Sequence, residues 1–124
     1  METSGLNHII LTISDVAKSR AFYGGILGFE LIDIADGFYF VCGGVSCFFF
    51  PSNRPLPNDR FSEFRIGLDH LSFAAPNEKA LHTLADKLVA SGIETQGVEQ
   101  YHTGNKYVAF RDPDNIQLEY WLPK

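Results

Sequence analysis

The stretch GLNHIILTISDVAKSRAFYGGILGF, residues 5–29, decides the fold, because a second stretch repeats its pattern. Residues 67–93 read GLDHLSFAAPNEKALHTLADKLVASGI, and the offset from His8 to His70 is 62 residues, half of the 124-residue chain. In each stretch the histidine is followed by an apolar run, a capping residue and a helical pattern. A single period of this length is too long for a solenoid repeat. We therefore predict one structural module that occurs twice.

A helix is predicted after each apolar run. Asp15 and Asn77 are the predicted N-caps, because a short oxygen side chain accepts hydrogen bonds from free N–H groups of the first turn. Gly28 and Gly92 follow the helices where a left-handed C-cap is favoured. The apolar positions form an i, i+3, i+4 stripe that predicts the buried side of each helix: Ala17, Ala21, Phe22, Ile26 and Leu27 in the first, and Leu81, Leu84, Ala85 and Leu88 in the second.

After each helix the chain has the alternation and turn residues that are typical of strands. The sequence predicts strands at about 29–34, 38–42 and 45–50, and again at about 93–100, 105–111 and 115–121. The fold class is therefore α+β, with two tandem βαβββ modules in a single domain that spans 1–124. The first module covers about 5–50, a proline-rich polar linker about 51–66, and the second module about 67–122.

Composition excludes several classes of function. Hydrophobic residues make up 45% and aromatic residues 14% of the chain, which is enough to bury a core. The formal net charge of −5 argues against nucleic acid as a partner, because phosphate binding requires a basic face. No apolar run approaches the length of a membrane span, and no signal peptide is predicted. We expect a cytoplasmic protein in which Cys42 and Cys47 are free thiols.

Side chains alternate along a strand, and this alternation predicts where the two histidines point. Ile9, Leu11 and Ile13 form the more apolar row of the first strand and should meet the helix. His8 belongs to the other row, and His70 occupies the equivalent row of the second module. Both histidines are therefore predicted on the sheet face that the helix does not cover.

Glu119 lies within the apolar final strand, where a carboxylate is costly unless it is paired or bound to a metal. Together with His8 and His70 it forms a set of two imidazoles and one carboxylate. Such ligands suit borderline divalent ions, namely Fe2+, Mn2+, Zn2+, Ni2+ or Co2+. Three protein ligands leave coordination positions open for water and substrate, as a catalytic metal requires.

These stretches resemble the vicinal oxygen chelate superfamily, which includes glyoxalase I, fosfomycin and bleomycin resistance proteins, and type I extradiol dioxygenases. The ending YVAFRDPDNIQLEYW, residues 107–121, is similar to the family signature F-x-D-P-D-G-x-x-x-E, with Asn115 at the glycine position. The resemblance implies paired βαβββ modules that form an incomplete barrel around one divalent metal ion. It places the metal ligands at His8, His70 and Glu119, and it implies a homodimer.

Departures from the family pattern narrow the range of reactions that we expect this protein to catalyse. Glyoxalase I carries a fourth ligand, a glutamate, on the last strand of its first module, and Phe48 stands at that position here. Phenylalanine cannot bind a metal or shuttle a proton, so dioxygenase-type chemistry is slightly favoured over glyoxalase-type lyase or isomerase chemistry. The fosfomycin enzymes share the three ligands but surround a phosphonate with more positive charge than this sequence offers.

The extradiol dioxygenases place a histidine and a tyrosine ahead of the glutamate, which makes His102 and Tyr107 the candidate catalytic residues. Ala109 stands where the family has its tyrosine, so the pair would be shifted along the chain. The predicted substrate is a small, oxygen-bearing molecule, with aromatic compounds among the candidates. The residues predicted to contact it are Tyr39, Ser46, Phe48 and Asn105. The alternative is a metal-free, drug-sequestering protein of the bleomycin resistance type, in which aromatic rows line an apolar groove.

Overall fold

The computed structural model describes residues 1–124, which divide into two compact units, Met1–Asp59 and Arg60–Lys124. Each unit contains one open four-stranded sheet and one helical segment in the order βαβββ. The predicted α+β class and the predicted duplication of a βαβββ module are therefore confirmed.

In the first unit a short parallel pair joins the two ends of the module. The first strand pairs in parallel with the last one, and the remaining pairs are antiparallel, giving the order β1-β4-β3-β2. The elements are β1 (His8–Ile13), α1 (Val16–Arg20) continued by a π-helical turn (Ala21–Ile26), β2 (Ile32–Ile34), β3 (Gly37–Cys42) and β4 (Val45–Pro51).

The second unit repeats this topology with the order β5-β8-β7-β6. Its longest helix has 13 residues, and neither unit contains a helix whose length and apolar content would suffice to cross a bilayer. The elements are β5 (Leu71–Ala74), α2 (Glu78–Ala90), β6 (Val98–Gln100), β7 (Lys106–Arg111) and β8 (Gln117–Leu122).

Two strands begin later than predicted. β2 begins at Ile32 and not at about residue 29, and β6 begins at Val98 and not at about residue 93. Phe29 donates its backbone N–H to the carbonyl of Tyr23 and stacks on Phe40 with ring centroids 3.9 Å apart, so it completes the helix end and not the strand. Before β6, Gly97 adopts a left-handed conformation with φ of 77°. A left-handed residue breaks the extended backbone, and pairing therefore begins only at Val98.

The predicted caps are confirmed in both helices. The side chains of Asp15 and Asn77 each accept a hydrogen bond from the backbone N–H three residues further on, at 3.0 and 2.9 Å. Gly28 and Gly92 adopt left-handed φ values of 81° and 73° at the helix ends. These local signals do not depend on tertiary packing, which explains why the sequence alone identified them.

The predicted buried stripe of the first helix is wrong at two positions. Ala17 and Ala21 are exposed, whereas Phe22 and Tyr23 are buried. The buried residues are Ser19, Phe22 and Tyr23, which follow the same i, i+3, i+4 spacing on a neighbouring face of the helix. The buried side is therefore the one that carries the two large rings, and the small side chains of Ala17 and Ala21 lie outside it. The helix widens only at its end, where the N–H of Leu27 bonds to the carbonyl of Phe22, five residues earlier.

Tyr23 is the centre of the first core. Its ring is fully buried, and its centroid lies 4.3 Å from that of Phe49, 6.0 Å from that of Phe40 and 6.5 Å from that of Phe38. Leu11 and Ile13 of β1, and Cys47 of β4, are buried too. In the second unit the predicted stripe of α2 is confirmed at Leu81, Ala85 and Leu88, which are buried together with Val108, Phe110 and Leu118, while Leu84 is half-buried.

The cysteines are free thiols, as predicted. Burial, with a smaller contribution from neighbouring Cys42, raises the pKa of Cys47 to about 11. Cys47 therefore stays protonated at neutral pH and behaves as a small apolar core residue.

Ser19 is a weak point of the first core, because its hydroxyl is fully buried and has no hydrogen-bond partner. We expect Ser19→Ala to raise the free energy of unfolding by about 1 kcal/mol, since it removes an unsatisfied buried polar group. Urea unfolding followed by circular dichroism measures this change. Ser91, which is exposed at the end of α2, is the matched control, and its replacement by alanine should change little. A Ser19→Ala variant less stable than the parent would contradict the prediction.

Candidate functional site

In each unit the helix covers one face of the sheet, and the other face is called here the open face of that unit. On the first open face Phe48 lies in a row of rings, with its centroid 4.9 Å from Tyr39 and 6.1 Å from Phe50. The ring of His8 meets Phe48 edge-on at 5.9 Å, and His8 is in register with Ser46 of the neighbouring strand. The residues of this face are His8, Ile10, Thr12, Tyr39, Val41, Ser46, Phe48 and Phe50.

The second open face is more polar and is organised around Glu119. This residue lies on β8, between Ser72 of β5 and Ala109 of β7, with which it is in register. The residues of this face are His70, Ser72, Ala74, Glu99, Tyr107, Ala109, Arg111, Gln117, Glu119 and Trp121. Alternation therefore predicted the faces of both histidines correctly.

His70 and Glu119 form a pair on this face. The Nε2 atom of His70 lies 3.5 Å from the Oε2 atom of Glu119, and the Glu119 side chain is only 16% exposed. A largely buried carboxylate is costly unless a donor or a cation compensates it, and the group that the structure places opposite Glu119 is the imidazole of His70.

The two histidines are oriented in the same way in both modules. The Nδ1 atom of His8 lies 2.7 Å from the Oδ1 atom of Asn7, and that of His70 lies 2.6 Å from the Oδ1 atom of Asp69. An oxygen of this kind accepts a hydrogen bond, so it holds the ring proton on Nδ1. The lone pair is then on Nε2, which is the arrangement found in metal-binding histidines whose second nitrogen bonds to a carboxylate or carbonyl.

The geometry of the pair fits a shared metal ion. Ligand atoms about 2.0–2.2 Å from a tetrahedral metal ion lie about 3.4 Å from each other. The separation of 3.5 Å between the lone-pair nitrogen of His70 and Oε2 of Glu119 matches this value. An imidazole nitrogen and a carboxylate oxygen are also the donors that borderline divalent ions accept.

The first unit contains His8, whereas the second contains His70 and Glu119. Accordingly, no group of three or more histidine, cysteine or carboxylate side chains converges within either unit. Each unit therefore supplies part of the predicted ligand set, one imidazole from the first and an imidazole with a carboxylate from the second.

Of the two candidate catalytic residues, Tyr107 lies on the second open face, and His102 lies in the exposed turn before β7. The ring of His102 contacts that of Tyr101, with centroids 4.1 Å apart. Asn105, a predicted substrate contact, uses its side chain within the same turn, where it donates to the carbonyl of Leu122 and accepts from the Thr103 hydroxyl. The other predicted contacts, Tyr39, Ser46 and Phe48, share the first open face.

The sequence prediction missed Glu99, whose carboxylate accepts a hydrogen bond from the Tyr107 hydroxyl at 3.3 Å. The sequence did contain a feature that could have identified Glu99, because this carboxylate lies within a predicted strand, as that of Glu119 does. What the sequence did not provide was the β6–β7 register, which sets Glu99 directly across from Tyr107.

Burial, followed by the neighbouring Glu99 carboxylate, raises the pKa of Tyr107 above the usual value of 10.0. We expect Glu99→Gln to lower this pKa, because the variant loses the negative charge that opposes tyrosinate formation. Trp121 reports the titration, since it is the single tryptophan and stacks on Tyr107 at 5.6 Å. The measurement is the alkaline midpoint of tryptophan fluorescence.

Two controls assign that midpoint. Tyr107→Phe should abolish the transition, whereas Tyr101→Phe should retain it, although Tyr101 also lies 5.6 Å from Trp121. A midpoint that is the same in the parent and in Glu99→Gln would show that Glu99 does not control the ionisation of Tyr107.

The two cations of β7 are already paired. Lys106 contacts the Glu78 carboxylate of α2 at 2.5 Å. Arg111 makes two hydrogen bonds to the Glu63 carboxylate, at 3.1 and 2.5 Å, and this pairing lowers the pKa of Glu63. The same guanidinium also donates to Gln117 and to the backbone carbonyl of Asn115. Little uncompensated positive charge therefore remains on this strand.

The duplicated βαβββ module, with one open sheet face in each unit, is the fold expected for the superfamily that the sequence resembles. The model of the Glyoxalase/Bleomycin resistance protein/Dioxygenase superfamily matches residues 5–120, and the chain belongs to this family. The predicted resemblance to this superfamily is thereby confirmed.

Individual relatives agree with this assignment. The chain is 31% identical to the uncharacterized protein YwkD of Bacillus subtilis (strain 168), over 96% of this chain and 97% of YwkD. It is 25% identical to the metallothiol transferase FosB of Lysinibacillus sphaericus (strain C3-41), over 97% of this chain and 83% of FosB. The crystal structure of a glyoxylase/bleomycin resistance protein/dioxygenase domain from Frankia sp. EAN1pec matches with a TM-score of 0.88 and 31% identity, over 99% of this chain and 94% of that chain.

Proposed function

We propose that this protein is a small divalent-metal-dependent enzyme whose substrate binds the metal through oxygen atoms. The observation that carries the proposal is the pair formed by His70 and Glu119, with donor atoms 3.5 Å apart and the ring proton of His70 held on Nδ1 by Asp69. A structural pair would not require the lone pair of His70 to face a carboxylate, whereas a metal site does.

The proposed ligands are His8, His70 and Glu119, and the proposed ion is one of Fe2+, Mn2+, Zn2+, Ni2+ or Co2+. His8 presents the same tautomer as His70, because Asn7 holds its Nδ1 proton. It would be supplied by a first module of the same chain or of a second copy, and family resemblance favours a homodimer. Bound there, the ion would act as a Lewis acid toward the oxygen atoms of the substrate.

Phe48 favours dioxygenase-type chemistry over the glyoxalase type. Its ring stacks with those of Tyr39 and Phe50, and it occupies the position where a glyoxalase would present a carboxylate. No acid–base group is therefore available at this point of the first open face. Glyoxalase-type lyase or isomerase activity is the alternative reaction class, and it would require a proton-shuttling carboxylate from elsewhere.

Tyr107 is the proposed catalytic residue of the second open face, and His102 is its proposed partner. Tyr107 keeps its hydroxyl proton at neutral pH, as tyrosine ordinarily does, and burial and the Glu99 carboxylate raise its pKa further. The hydroxyl can therefore hydrogen-bond to a substrate oxygen. Proposed substrate contacts from the first module are Tyr39, Ser46 and Phe48, with Asn105 from the second. An aromatic or otherwise flat small molecule would suit this row of rings.

Thiol transfer, which the name of the relative FosB suggests, receives less support, as does the phosphonate chemistry that a resemblance to the fosfomycin enzymes would imply. A dianionic phosphonate requires free cationic donors, and Lys106 and Arg111 are already paired with carboxylates. The second candidate function is a metal-free ligand-binding protein. The observation in its favour is the apolar first open face, on which Ile10 and Val41 are more than half exposed, at 57% and 56%.

Elemental analysis of protein purified without chelator or histidine tag tests the proposal, and it uses three forms of the chain. The parent should contain about one divalent ion per chain, Glu119→Ala should lose it, and the control variant Glu94→Ala should retain it, since Glu94 is exposed on a loop. Metal in both the parent and Glu119→Ala would show that the assigned site is wrong. No metal in the parent, even after reconstitution with each of the five ions, would favour the binding protein.

A further inference from the structure

A short side chain lies opposite Glu119 on the second open face. Ala109 is directly across from Glu119, and it is flanked on the same face of β7 by the larger residues Tyr107 and Arg111. The space over this methyl group, between the two longer side chains, is called here the notch. A small molecule bound to a metal ion at Glu119 would lie over Ala109, beside the Tyr107 side chain.

That hydroxyl is not isolated. It donates a hydrogen bond to Oε2 of Glu99 at 3.3 Å, while its ring is fixed by stacking on Trp121. The hydroxyl oxygen can still accept a hydrogen bond from a second group. Glu99 takes part in no ion pair, and the two cations of β7 are paired with Glu78 and Glu63.

We propose that Glu99, acting through the Tyr107 hydroxyl, accepts the proton that a hydroxyl-bearing substrate releases when it binds in the notch at Ala109. The substrate O–H bond breaks as an O–H bond forms at the Tyr107 oxygen. The original Tyr107 O–H bond breaks as one forms at Oε2 of Glu99. The substrate keeps the electron pair and binds as an oxygen anion, and no oxidant or reductant is consumed.

This inference rests on the proposed metal-dependent function. A glyoxalase has a proton-transferring carboxylate at the position of Phe48 in the first module, and the inference assigns that role to Glu99 of the second module. Glu99 does not touch the substrate, and it acts only through Tyr107. The raised pKa of Tyr107 agrees with a hydroxyl that passes a proton on and does not remain ionised. Other charged or titratable groups that influence Tyr107 are Glu119 of β8 and Tyr101 of the turn before β7.

The test uses zinc-loaded protein and 4-nitrocatechol, a probe whose absorption shifts when its hydroxyl ionises. Zinc has no redox chemistry, so the signal reports binding and proton loss without turnover. Stopped-flow absorbance gives the rate at which the ionised complex forms, and titration gives the affinity. The variants are Glu99→Gln, Tyr107→Phe, the double variant, and Glu94→Gln as a control with the same loss of charge.

We expect Glu99→Gln and Tyr107→Phe each to slow formation of the ionised complex on the order of 10²-fold, as for loss of a general base. The double variant should be no slower than either single variant, because the two groups act in series. Zinc content should be unchanged, and Glu94→Gln should match the parent. In Glu99→Ala, added acetate should restore part of the rate, which a purely structural role of Glu99 would not allow.

The outcomes separate this inference from the proposed function. If the parent binds and ionises the probe but Glu99→Gln does so at the same rate, the role of Glu99 is refuted and the metal site stands. If the effects of the single variants multiply in the double variant, the two groups do not act in series and the relay is refuted. If zinc-loaded parent does not bind the probe, the proposed function and the relay fail together.

Discussion

Replacing His70 by alanine is expected to abolish stoichiometric binding of a divalent metal while leaving the fold intact. The variant loses one of the two proposed ligands of the second unit, and Glu119 alone cannot replace the imidazole nitrogen. The side chain of His70 is 37% exposed and lies outside the buried core, so its loss should cost little stability. Isothermal titration with Zn2+ and elemental analysis measure the effect.

His82 provides the matched control, because it is an exposed histidine of α2 beside Glu78 and belongs to no predicted site. His82→Ala should bind metal like the parent. A His70→Ala variant that binds one Zn2+ per chain with parental affinity would refute the assigned ligand.

A graded result is expected when the neighbour of His70 is changed. Asp69→Ala keeps the ligand but removes the acceptor that holds its Nδ1 proton, at 2.6 Å. Loss of such an outer partner weakens metal binding about 10–100-fold. The Zn2+ affinity of Asp69→Ala should therefore lie between those of the parent and His70→Ala. Unchanged affinity would show that Asp69 does not orient the imidazole.

Replacing Gly37 by alanine is expected to destabilise the first unit severely. A Cβ atom at Gly37 would lie 2.0 Å from the backbone oxygen of Phe49, far inside any real contact distance. Backbone cannot yield as a flexible side chain can, so β3 and β4 would have to separate where they pair. We expect a loss of more than about 3 kcal/mol in the free energy of unfolding, at the upper end of overpacking effects.

Urea unfolding measures this loss, and Gly25→Ala is the control. An added Cβ at Gly25, in the π-helical turn, meets no atom within 4 Å. The control should therefore be as stable as the parent or slightly more stable, because alanine restricts the unfolded chain. A Gly37→Ala variant with parental stability would show that the β3–β4 contact is looser than the structure indicates.

The features that local chemistry controls were predictable. Asp15 and Asn77 cap their helices because an oxygen side chain satisfies free N–H groups in any context. The histidine faces followed from strand alternation, which has a fixed period of two. The buried side of the first helix was predicted wrongly at Ala17 and Ala21, because the buried face includes the polar residue Ser19, which does not mark a buried position in the apolar pattern.

The candidate site also contains some features that could be predicted from the sequence and others that could not. His8, His70 and Glu119 could be selected from the sequence because polar residues in apolar strands are costly and require a reason. The partner of Arg111 could not be selected from the sequence, because Glu63 is 48 residues away and only the packed second unit brings the two together. The same is true of Glu99 and Tyr107, whose contact depends on the register of β6 and β7.

The sequence by itself determined the duplicated βαβββ module, the ends of its helices, the family, and the three polar residues proposed as ligands. Each of these features depends on interactions within a few residues or on a strict repeat, and such features can be recognised as a pattern in the sequence. The tertiary structure alone decided that Glu119 faces the lone pair of His70 at 3.5 Å and that Glu99 holds the Tyr107 hydroxyl. Strand register sets these contacts, and register arises from packing of whole strands rather than from any single segment.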